Sequence, residues 1–109
     1  MLEDVKGNKE MERIYSVDEL RRILSPIFAR YGVKRAILFG SYGRNCAVGK
    51  SDIDLLVDSG LRGLRFIEFT EELRGALGKD IDMFDVSHIE PHSRIELEIR
   101  ETGVLFYEM

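Results

Sequence analysis

The chain has 109 residues, room for one domain with one modest core. Apolar residues make up 44% and charged residues 33%, and 16 Lys or Arg stand against 20 Asp or Glu for a net charge of −4. That balance suits a globular domain and argues against nucleic acid as the primary partner, because a phosphate backbone is gripped by excess positive charge. The lone cysteine, Cys46, excludes an intrachain disulfide and a multi-cysteine zinc site. No apolar run approaches the roughly 18 residues of a membrane span, and no signal-peptide pattern is visible, so a cytoplasmic protein with no membrane role is expected.

Residues 1–13 are charged and aperiodic and read as a loose leader ahead of a single domain over 14–109. Ser16 with Glu19 three positions on forms a capping-box pattern, and Val17, Leu20, Ile23, Leu24, Ile27 and Phe28 follow helical spacing. Pro26 should kink or split that helix, and Gly32 should stop it. A β-rich run over 33–39 ends at Gly40-Ser41, followed by a loop or short helix over 42–50. Residues 51–58 alternate, with Ile53, Leu55 and Val57 on one side and Asp52, Asp54, Leu56 and Asp58 on the other, which is the period of a strand. A helix over 64–77 closes at Gly78, with Ile67, Leu73 and Leu77 as its core stripe. Residues 80–86 read as a third strand and 92–101 as a last helix, whose Glu96, Glu98 and Glu101 read as a solvated face. A short element over 104–107 ends the chain. The order predicts an α/β (α+β) domain.

Two segments carry chemistry. The first is Gly40-Ser41-Tyr42-Gly43-Arg44-Asn45, placed where a strand ends. A Gly-Ser turn there can offer backbone N–H groups and a hydroxyl to a phosphate. The second is Ser51-Asp52-Ile53-Asp54. Two carboxylates two residues apart on a strand share a face, roughly 6.5 Å apart at Cα, and repel unless a cation lies between them. Hard oxygen ligands suit Mg²⁺, which usually completes its shell with water and substrate phosphates, so the pair points to a nucleotide. Two-metal chemistry needs a third carboxylate, for which Asp80, Asp82 and Asp85 on the third strand are candidates; Asp85 points to the face opposite Asp80 and Asp82. His88 and His92 lack a matched ligand set and read as surface residues.

Taken together, G-S-Y-G-R-N, then S-D-I-D-L-L-V, then D-I-D-M-F about thirty residues on resemble the polymerase β-type nucleotidyltransferases, and most closely the minimal nucleotidyltransferases of HEPN/MNT toxin–antitoxin pairs. The resemblance covers about residues 16–109. It implies a palm-like, small mixed β-sheet with helices packed mainly on one face. It also implies that Gly40, Ser41 and Arg44 bind the nucleotide and that Asp52, Asp54 and Asp82 are the catalytic, metal-holding acids for two Mg²⁺ ions. ATP is then the substrate, and a HEPN toxin is the implied protein partner, receiving AMP on a tyrosine. Asn45 departs from the family pattern, which has Gly after the arginine. Two other readings stand beside this one: a non-catalytic antitoxin that occludes its toxin, and a small-molecule nucleotidyltransferase of the aminoglycoside type, whose missing acceptor wall a homo-oligomer could supply.

Overall fold

A computed structural model describes residues 15–43 and 52–109. The expected leader therefore lies outside the described residues, apart from the boundary near Tyr15. The chain runs α1 (Val17–Arg30), β1 (Arg35–Phe39), a single helical turn α2 (Gly40–Gly43), β2 (Ile53–Asp58), α3 (Leu64–Leu77), β3 (Ile81–Asp85), a 3-10 turn (Val86–His88), α4 (Arg94–Thr102) and β4 (Val104–Glu108). The strands form one mixed sheet in the order β3-β2-β1-β4. β1 is antiparallel to both its neighbours, whereas β2 and β3 are parallel and are joined through α3. Parallel neighbours need such a crossover, because a tight hairpin cannot connect them.

Local chemistry explains the boundaries. The Ser16 hydroxyl accepts the Glu19 N–H at 3.0 Å, and the Glu19 carboxylate accepts the Ser16 N–H at 2.9 Å, a complete capping box at the start of α1. α1 neither splits nor stops at Pro26 but runs on to Arg30. Pro26 and Arg22, whose carbonyl loses its helical donor, both lie on the exposed side, where water can take the bond. Gly32, at φ 73°, follows the cap residue Tyr31 and turns the chain into β1.

The core lies between the sheet and the pair α1 and α3. Leu20, Leu24 and Phe28 of α1 and Phe69 and Leu73 of α3 are fully buried there with Ala36, Leu38, Leu55, Val57 and Ile81. The Phe28 ring centroid is 6.0 Å from those of both Phe69 and Phe106, which joins both helices to the sheet. Ile67 does not belong to the core stripe: it is 56% exposed. The inward set is Phe69, Thr70, Leu73 and Leu77, and Ile67 is two residues, roughly 200° of helical rotation, away from Phe69.

The second face of the sheet is only partly covered. Leu56, which points to that face, is buried beside Ile99 of α4. At the other end of α4, a β-carbon added to Gly103 would lie 3.0 Å from the Ile37 side chain, so the helix end rests on β1. Thus α1 and α3 take one face, and α4 takes one region of the other. The rest of that second face carries the acids.

Candidate active site

Strand register brings the first residues together. Phe39, the last residue of β1, pairs with Asp54 of β2, and Asp54 pairs in turn with Asp82 of β3. Side chains of laterally paired residues emerge on the same face, with neighbouring strands about 4.8 Å apart. Asp54 and Asp82 therefore stand side by side, and Gly40, directly after Phe39, starts α2 next to them. Gly40 has φ 71°, and a β-carbon built on it would overlap the Asp54 carboxylate, so both backbone conformation and space require glycine. Ser41 occupies the same helical turn, and Asp52 lies exposed just before β2. Arg44, Asn45, Cys46 and Lys50 lie outside the described residues.

The third-strand candidates separate cleanly. Asp82 joins Asp54. Asp80 precedes β3, where its carbonyl accepts the Ile53 N–H at 3.3 Å. Asp85 faces the core side and is 3% exposed. Its carboxylate accepts the Ser59 N–H and hydroxyl at 3.2 and 2.6 Å and the Ser87 N–H and hydroxyl at 3.0 and 2.7 Å. Burial alone would raise its pKa, but these four hydrogen bonds outweigh it and hold the carboxyl below the usual carboxylate range. Asp85 caps the 3-10 turn and ties it to the end of β2; it has no lone pair left for chemistry.

Asp54 is the opposite case. Burial first, then the charge of Asp82 and a hydrogen bond with it, then the charges of Glu98 and Asp52, push its pKa up to about 7. Among the described residues no three acidic or imidazole side chains are already drawn in around one point. The arrangement is a close carboxylate pair with further acids nearby. Hard oxygen donors that repel one another fit Mg²⁺, an ion usually held by one or two protein carboxylates with phosphate and water filling the remaining positions; among the described residues the Lys79 ammonium acts on Asp52 but not on Asp54.

Two contributors escape the motif pattern, and both come from α4. Glu98 is one of the charges acting on Asp54, so the glutamate row of this helix is not simply a solvated face. Thr102 reaches the Gly-Ser turn itself, where its hydroxyl accepts the Gly40 N–H at 2.9 Å. His88 and His92 are exposed, as expected of surface residues. Among the described residues no helix is long and apolar enough to cross a membrane.

A mixed palm-like sheet with a glycine turn set against a carboxylate pair is the arrangement of a nucleotidyltransferase. The sequence pattern of the family described as Polymerase beta, Nucleotidyltransferase matches residues 23–109, and the chain belongs to that family. Among its relatives is a candidate protein adenylyltransferase of Methanocaldococcus jannaschii, 40% identical over 78 residues that make up 70% of this chain and 84% of that protein. Protein adenylyltransferase MntA of Thermococcus cleftensis is 37% identical over 76 residues, 62% of this chain and 75% of that one. The fold is shared with a solved structure of a tri-AMPylated Shewanella oneidensis HEPN toxin in complex with MNT antitoxin, at a TM-score of 0.63 and 19% identity, covering 85% of this chain and 73% of that one. The enzyme class is thus nucleotidyltransferase.

Proposed function

We propose that this chain transfers AMP from ATP onto a hydroxyl of a protein acceptor, and that the acceptor is a tyrosine of a HEPN-family toxin that it neutralises as an antitoxin in the cytoplasm. The observation that carries the reading is the register-paired Asp54 and Asp82 behind the Gly40 turn, with the Asp54 carboxyl raised to about 7 by burial and by acids around it. An apolar protein-binding face has no use for such a cluster, which is destabilising until a cation and a phosphate enter. The relatives named protein adenylyltransferases support the acceptor class, and the AMPylated HEPN toxin in the neighbouring complex supports the partner.

The roles follow from position. Gly40 and Ser41, at the N-terminal end of the α2 turn, would meet the triphosphate, and the family resemblance would put Arg44, which lies outside the described residues, beside the nucleotide. Asp52, Asp54 and Asp82 would hold two Mg²⁺ ions, whose charge would be supplied to the attacking and leaving oxygens. The acceptor hydroxyl oxygen forms a bond to the α-phosphorus as the bond from that phosphorus to the bridging oxygen breaks. Pyrophosphate leaves, and Asp82 takes the hydroxyl proton. The chain's contribution is positioning and charge compensation rather than a covalent intermediate.

The test is incubation of the purified chain with Mg²⁺, α-labelled ATP and a HEPN-family protein from the same source. Label on a tyrosine of that protein, absent with Asp52→Ala/Asp54→Ala, is the expected result. Neutralisation of the toxin without label would leave a non-catalytic antitoxin, and label on an aminoglycoside but not on protein would leave a small-molecule enzyme; either outcome overturns the proposal.

A further inference from the structure

The strand motifs end at Asp82, yet the turn they serve is held from α4. Thr102 lies 62 residues beyond Gly40 and uses its hydroxyl in both directions. It accepts the Gly40 N–H at 2.9 Å and donates to the Glu98 carbonyl one helical turn back at 2.7 Å. Only a side chain that is acceptor and donor at one atom can make both bonds, and together they fix the rotamer.

The neighbouring residue seats the helix end. The Gly103 N–H donates to the Ile99 carbonyl at 2.7 Å, and a β-carbon on Gly103 would run into that same carbonyl oxygen and press on Ile37. Thr102 is thereby held at a set height above β1. Gly40 in turn lies so close to the Asp54 carboxylate that a single added carbon would overlap it. A physical chain of contacts thus runs from α4 through the Thr102 hydroxyl and the Gly40 backbone to the carboxylate of Asp54.

We infer that Thr102 is a positioning residue of the transfer reaction: by pinning the Gly40 N–H it sets the turn that receives the triphosphate and limits where the Asp54 carboxylate can sit. The inference rests on the nucleotidyltransferase reading of the site. It adds a residue of α4, 62 residues along the chain from the turn it holds, to the machinery of that site. Without the threonine hydroxyl the Gly40 N–H loses its partner in a part-buried position, and the turn gains freedom to shift against Asp54. Displacements of about 1 Å at such a site can cost on the order of 100-fold in rate.

The experiment compares wild type, Thr102→Val, which keeps the shape and deletes both bonds, and Thr102→Ser, which restores them. Three quantities are read: kcat and KM for ATP in transfer to the protein acceptor, hydrogen exchange of the Gly40 amide, and calorimetric affinity for a non-hydrolysable ATP analogue with Mg²⁺. The expected result is a kcat lower by roughly 10- to 100-fold in Thr102→Val, with activity within about threefold of wild type in Thr102→Ser. The Gly40 amide should exchange slowly in wild type and the serine variant and fast in the valine variant. Wild-type kcat in a valine variant whose Gly40 amide exchanges fast would overturn the inference, as would an unprotected Gly40 amide in wild type. If wild type labels no protein, the adenylylation reading fails separately. The inference then stands on analogue affinity, which should be about tenfold weaker in Thr102→Val and would contradict it if equal.

Discussion

Asp54 and Asp85 sit on adjacent strands of one sheet, and their surroundings push their pKa values in opposite directions. Asp85 faces the core side, is almost wholly buried, and has all it needs: four hydrogen bonds from Ser59 and Ser87 keep it ionised below the ordinary carboxylate range. Asp54 faces the other side, where burial first and then the charges of Asp82, Glu98 and Asp52 raise its carboxyl to about 7. Burial alone therefore does not mark a functional acid. A buried carboxylate with donors on every side holds the fold together, and one pressed against other carboxylates is waiting for a ligand. The same contrast applies to whole faces of the sheet: one is sealed by α1 and α3 around Phe28 and Phe69, and the other is acidic and bordered by α4.

The contrast can be broken most strongly at Asp54. Asp54→Asn should lower the transfer rate by on the order of 10²–10³-fold or more, since it removes a carboxylate that would hold the Mg²⁺ whose charge compensates the reaction. In EDTA at pH 8 the same variant should be more stable than wild type, with Tm rising by roughly 4–8 °C per kcal/mol of relieved repulsion. Asp85→Ala should reverse this pattern. It leaves the donors of Ser59 and Ser87 without their acceptor and should destabilise the fold by about 2–3 kcal/mol in urea unfolding. Its kcat, per folded molecule, should stay within about threefold of wild type.

Titration sharpens the same comparison without mutation. The folded Asp54 holds its proton up to about pH 7, whereas an unfolded aspartate releases it near pH 4. Its stability contribution is therefore complete below about pH 4 and is lost as the pH rises toward 7. Asp85 works the other way: its lowered pKa contributes stability that is present above the unfolded aspartate value and is lost as the pH falls through the folded one. Thermal denaturation in EDTA should thus show Asp54→Asn flattening the decline between about pH 4 and 7 and Asp85→Ala flattening the decline on the acid side. Mg²⁺ favours the charged carboxylates, so its stabilising effect should grow through pH 7. The smallest effect belongs to Ile67→Ser, which should change stability by less than about 0.5 kcal/mol because the side chain is 56% exposed.

Much of the site was legible because period-two alternation assigns faces directly. Asp54 falls on the face opposite Ile53 and Leu55, Asp82 and Asp85 fall on opposite faces, and a glycine after a strand of apolar residues announces a turn, whereas Asp52 lies just before β2 rather than within it. The family pattern then singled out Asp82, and the in-register pairing of Asp54 with Asp82 accounts for the choice. The helices were less legible. Ile67 fits an apolar helical pattern by residue type, but the angle around the axis, set by Phe69 and Leu73, turns it to solvent. Glu98 and Thr102 were missed for a different reason. A glutamate row and a helix-end threonine look the same in sequence whether they face water or an active site, and only the tertiary placement of α4 on the acidic face decides between them. Pro26 within α1 shows the converse: of the kink or split that local propensity predicted, the split does not occur, because the helix runs on through Pro26 at an exposed position.

The most direct measurement is the pKa of the Asp54 carboxyl, followed by carbon-detected NMR of labelled protein with and without Mg²⁺ and a non-hydrolysable ATP analogue. The account predicts about 7 in the metal-free protein and a fall into or below the ordinary carboxylate range once cation and nucleotide are present. An ordinary aspartate value in the free protein, or a value that does not move on their addition, would contradict it.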